Sequence, residues 1–123
     1  MRKYANWLPA IFVMIIIYYF SSLSGTRLEA MGLRREIFHF NGHFFLFMAL
    51  CISYFKATKN IFISIMLTVI YGMLDEFHQV FVPFRSSSLY DLSVDSMGAF
   101  VAAGGLWIIL PVLPKKLKKL LLD

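Results

Sequence analysis

Long apolar runs separated by short polar breaks make up this chain, and their lengths predict four helices, at about 7–23, 38–55, 61–82 and 90–113. The first run, WLPAIFVMIIIYYFSSL, carries no charge from Trp7 to Leu23. Trp7, Tyr18 and Tyr19 stand near its ends, where amphipathic rings prefer a membrane interface. The second begins polar, with His39, Asn41 and His43, and continues as FFLFMALCISYF. The third is apolar from Ile61 to Leu74 and polar after it. The fourth is interrupted by Asp95, closed by Pro111 and Pro114, and followed by KKLKK. About 20 mostly apolar residues suffice to cross a bilayer once as a helix. The connections are short, so consecutive helices should be antiparallel. There is no internal repeat and no low-complexity segment.

Composition decides what surrounds these helices. The 123 residues are 59% hydrophobic and 15% charged, with a mean hydropathy of +0.71. A soluble domain is about half apolar and about a quarter charged, and one of this size has too little interior to hide the surplus. The expected fold is an all-α integral membrane protein, a single domain over 1–123, with the lipid bilayer as its first partner. The net charge of +5 does not indicate nucleic acid, because the basic residues flank apolar spans and form no single patch. Cys51 stands alone in an apolar run, which leaves no intrachain disulfide and makes it a small core residue. Arg2 and Lys3 ahead of an apolar stretch have the look of a signal peptide. The stretch exceeds the usual apolar region of about 7–15 residues, however, and no A-x-A-like site follows it. It is read as a retained first span.

Charge also orients the bundle. With four spans, Arg2, Lys3, Lys56, Lys59, Lys115, Lys116, Lys118 and Lys119 lie on one side, and Arg27, Arg34, Arg35 and Arg85 on the other. This bias predicts that both termini are cytoplasmic. Glu29, Glu36, Asp75, Glu76, Asp91 and Asp95 then lie toward the outer side.

Candidate chemistry is concentrated in YGMLDEFHQVFVPFR, residues 71–85. On a helix, Tyr71, Asp75, His78, Gln79 and Val82 fall on one side, with Gly72 and Glu76 beside them. Asp91, Asp95, Gly98 and Ala102 share a stripe on the fourth helix, and His39 and His43 share a face of the second. Three helices thus carry polar faces at one depth. A charge near the bilayer centre costs about 2.5–3.5 kcal/mol on insertion scales, and less near the interface, so such groups are expected to face one another or water. The expectation is one polar cluster of His43, Asp75, Glu76, His78, Gln79, Arg85, Asp91 and Asp95, enclosed by the bundle and open to the outside. Arg85 should pair with Asp75, Glu76 or Asp91. His43, His78 and one or two carboxylates match the ligand types of zinc or manganese, but the spacing is not the H-E-x-x-H of zinc proteases, and no Ser, Cys or Lys nucleophile falls inside the cluster, so no metal ligand, cofactor or catalytic residue is assigned. Gly98 and Ala102 read as a close-packing pair, KKLKK as an anchor to anionic lipid, and residues 25–38 as a surface helix or a solvated loop.

The run Asp75-Glu76-Phe77-His78-Gln79, then Pro83-Phe84-Arg85, then Asp91, then Asp95-Ser96-Met97-Gly98, resembles the VanZ-like family of small bacterial membrane proteins, and His43 fits the histidine near the start of their second span. The resemblance covers most of the chain. Asp95 stands where the family usually has Asn, and Phe40 where it usually has Lys, so this chain carries one more carboxylate and one fewer cation. The resemblance implies residence in the bacterial cytoplasmic membrane. It also implies a link to resistance against teicoplanin-type glycopeptides, which bind cell-wall precursors outside the membrane.

Three functions follow as alternatives. The cluster binds or shields an envelope component, such as a lipid-linked precursor or the glycopeptide itself. It belongs to a membrane-embedded enzyme that modifies such a precursor or a headgroup. Or it is an interhelical polar lock in a bundle that braces another membrane protein.

Overall fold

The computed structural model describes residues 2–23, 36–82 and 89–123, together with Thr26 and Ala30; side chains are described at all of these except Arg2 and 36–40. Residues 83–88 with Arg85, most of the segment 25–38 and the side chain of His39 lie outside that description. Among the described residues every regular element is helical. A short turn of helix, α1 (Arg2–Ala5), leads into α2 (Leu8–Ser22), where Pro9 occupies the first turn, a position at which its missing N–H costs nothing. Next come α3 (Glu36–Thr58), α4 (Ile61–Gln79) and α5 (Leu89–Ile109). A 3₁₀ turn (Leu110–Val112) carries Pro111, and α6 (Lys115–Leu122) follows.

The link between α3 and α4 is two residues long. Lys59 takes a left-handed φ of 60°, and the side chain of Asn60 caps α4 by accepting from the N–H of Ile63 at 3.1 Å. So tight a link turns α4 back against α3. Cross-contacts give the remaining directions. Met14 and Ser21 of α2 meet Tyr71 and Gln79 of α4, so these two helices run parallel. Phe44 of α3 lies against Gly98 of α5, and Cys51 is grouped with Ala102 and Ala103, so these run parallel as well. Chain neighbours are therefore antiparallel, in an up-down-up-down bundle.

Burial is inverted relative to a soluble bundle. Large apolar side chains such as Phe12, Phe62, Met66, Phe77, Phe100 and Trp107 face outward, whereas Ser64, Thr68, Asp75, Glu76 and Gln79 are buried. The hydroxyls of Ser64 and Thr68 satisfy themselves by donating one turn back along α4, to the carbonyls of Asn60 and Ser64 at 2.7 Å each.

Among the described residues three stretches are long and apolar enough to cross a membrane, Lys3–Ser22, Ile61–Gln79 and Leu89–Val112. This corrects the count of four. The helix that falls short is α3, although it is the longest. Its first two turns contain Glu36, His39, Asn41 and His43, and it packs against α2, α4 and α5. A central helix buries much of its surface on protein, so lipid does not demand apolarity along all of it.

Candidate functional site

The site lies at one end of the bundle, where α2 and α4 finish and α3 and α5 begin. Small residues bring the helices close there. A side chain on Gly98 would place its Cβ 2.7 Å from the carbonyl oxygen of Phe44, and one on Gly72 would meet Leu92, Phe47 and the Cβ of Asp95 at 3.3–3.5 Å. Glycine at both positions seats α5 against α3 and α4.

That close approach sets Asp95 opposite His43. Nδ1 of His43 and Oδ1 of Asp95 share a hydrogen bond of 3.0 Å. Asp95 has no solvent exposure and its other oxygen, Oδ2, is buried with no hydrogen-bond partner among the described residues. The His43 ring lies nearly parallel to that of Phe47, with centroids 6.2 Å apart and planes at 6°, which fixes the imidazole plane. Asp75 completes a triangle: one ligand-type atom from each of His43, Asp75 and Asp95 lies within 4.8 Å of the others. Gln79, one turn beyond Asp75, is fully buried and donates through Nε2 to Oδ2 of Asp75 and to Oγ of Ser21, each at 3.4 Å. Its Oε1 has no partner among the described residues.

The remaining expected residues divide. Glu76 is buried beside Asp75 on α4. Asp91 is half-buried, one turn before Asp95 on α5. His78 turns toward α2, where it shares a 3.0 Å hydrogen bond with Ser22 and stacks on Tyr18 at 4.9 Å. The structure thus brings His43, Asp75, Asp95 and Gln79 together and sets His78 on an adjoining face. Ser21 and Ser22 went unread in the sequence. Their signal was the SSLSG tail of the first span, which marks a polar end to an apolar helix but does not name its partners.

Chemically, the arrangement offers a carboxylate-oriented imidazole, a second carboxylate and a buried amide. This is a donor set for a cation or a polar headgroup, and also the raw material of an acid–base pair.

A family model described as VanZ/LLP1 matches residues 6–110. No curated protein and no solved structure matches the chain.

Proposed function

The chain belongs to the VanZ/LLP1 family, and from that premise we propose that its polar cluster binds an envelope component at the outer face of the bacterial cytoplasmic membrane. By occupying or shielding that component, the protein would change how the envelope meets teicoplanin-type glycopeptides. In this reading α3 is a fourth crossing, 1–123 form one membrane domain, and both termini are cytoplasmic. His43, Asp75, Glu76, His78, Gln79, Arg85, Asp91 and Asp95 act as one site.

The observation that supports this most is the convergence of His43, Asp75, Asp95 and Gln79 from three helices within a buried, close-packed end of the bundle. A polar lock would be a poor return on such groups. Interhelical hydrogen bonds in membranes average about 0.6 kcal/mol and reach about 1.7, and hydroxyl groups supply that without burying two carboxylates.

One observation favours an enzyme as the second reading: the 3.0 Å pairing of His43 with Asp95 is how a general base is held in one orientation. Mass spectrometry of envelope lipids and precursors, with and without the protein, separates the two. A new covalent species identifies an enzyme; altered glycopeptide binding with unchanged chemistry identifies a binding protein. For the site itself, Glu76→Gln, His78→Ala and Asp91→Asn are each to be scored for thermal stability and for glycopeptide susceptibility. Loss of protection with normal melting is expected. If all three fold normally and still protect cells as the wild type does, the reading is wrong and the cluster is a lock.

A further inference from the structure

Two buried acceptors at the centre of the cluster, Oδ2 of Asp95 and Oε1 of Gln79, have no hydrogen-bond partner among the described residues. Two carboxylates, Asp75 and Asp95, are buried within the same triangle. A lock made for its own sake would pair acceptors with donors, since a buried polar group left unpaired costs about 1–3 kcal/mol.

We infer that His43, Asp75 and Asp95 hold a divalent cation of the zinc or manganese kind. The donor set is one imidazole nitrogen and two carboxylate oxygens, which suits these ions better than magnesium or calcium, whose ligands are oxygens alone. Nitrogen and oxygen ligands sit about 2.0–2.2 Å from zinc. Two of them at a tetrahedral angle are therefore about 3.4 Å apart; Nδ1 of His43 and Oδ1 of Asp95 are separated by 3.0 Å, so a shift of a few tenths of an ångström seats the ion once Nδ1 is free of its proton. All three ligand atoms lie within 4.8 Å of one another, so small side-chain movements close the set on the ion. Three protein ligands leave a position open on a tetrahedral ion, where an oxygen of an anionic headgroup can bind. Sequence spacing could not show the set, because each ligand comes from a different helix.

The inference rests on the cluster being the ligand site, and its test is chosen to fail separately. Purified protein in nanodiscs is stripped with chelator and titrated with Zn²⁺ and with Mn²⁺, and Mg²⁺ serves as the comparison ion. Bound metal is measured by mass spectrometry and stability by the melting midpoint. The wild type should hold close to one Zn²⁺ or Mn²⁺ per chain against dialysis and melt higher with the ion than without it. Asp95→Asn and His43→Gln should each lower retained metal at least tenfold and abolish the melting shift. Ser93→Ala, an exposed position on the same helix, should behave as wild type. If Asp95→Asn does not fold, His43→Gln carries the test. Metal retention no higher in the wild type than in these variants overturns the inference, as does a melting shift equal for Mg²⁺ and Zn²⁺. If retention is absent while Asp91→Asn still loses glycopeptide protection, the binding reading stands and only the cation falls.

Discussion

At Gly98 a methyl group has nowhere to go. An added Cβ would lie 2.7 Å from the backbone oxygen of Phe44 and 3.4 Å from the backbone nitrogen of Met48, and a helix backbone cannot yield as a side-chain tip does. Gly98→Ala should therefore push α5 away from α3, at a cost of about 1–3 kcal/mol from overpacking. It should also lengthen the His43–Asp95 hydrogen bond. Gly104 lies on the same helix with open space around its Cβ direction, so Gly104→Ala should melt at or slightly above the wild-type temperature. Equal melting of the two variants in detergent would contradict the account of Gly98. Tyr71 makes a contrasting point. Its hydroxyl donates to the carbonyl of Met14 at 2.7 Å and ties α4 to α2. Tyr71→Phe removes one interhelical hydrogen bond and nothing else of size, so a loss near the membrane average of about 0.6 kcal/mol is expected in a thermal or denaturant series.

Among the elements, α4 shows how local signals and packing combine. It starts at Asn60, whose side chain caps the first turn, immediately after a residue held at a positive φ. Asn60→Ala should cost about 1 kcal/mol, as lost caps typically do, and the loss should be absent in Asn60→Asp. From Ser64 onward, a stripe of Ser64, Thr68, Gly72, Asp75, Glu76 and Gln79 is buried, while Met66, Ile70, Met73 and Phe77 are exposed. This polarity suits a helix with lipid on one side and a packed polar interior on the other. Helix α6 is tied down differently. The Nζ of Lys56 donates to the carbonyl of Leu120 and that of Lys59 to the carbonyl of Leu121, which satisfies two of the carbonyls left open at the end of a helix.

For the whole molecule, the arrangement puts the acidic cluster at one end of the bundle and Lys56, Lys59 and the lysines of α6 at the other. The basic end should be cytoplasmic. Single cysteines placed at 87 and at 116 on a Cys51→Ala background test this, because Cys51 is buried and its removal leaves no other thiol. Position 87 should label from outside and position 116 only after permeabilisation; the reverse pattern would invert the orientation and put the cluster on the cytoplasmic side. A third cysteine at position 4 tests whether α3 crosses the membrane: with four crossings it labels from the same side as position 116, and with three from the opposite side.

The helical, membrane-embedded class was legible from the chain alone, because apolar runs of spanning length are a local property and the bilayer imposes one solution on them. So was the depth shared by the polar residues, since the positions of Asp75, Asp95 and His43 along their helices follow from counting residues. Which of them touch was decided in three dimensions. A wheel placed His78 with Asp75 and Gln79, but the rotation of α4 against its neighbours turned His78 toward Ser22 and Tyr18 and left Asp75 and Gln79 facing the interior. The pairing of His43 with Asp95 required α3 and α5 to run parallel at glycine distance, and that distance depends on how small residues from separate segments meet. The polar start of α3 has a related reason. It packs against α2, α4 and α5, and a helix lined by other helices is free to carry polar groups that lipid would reject.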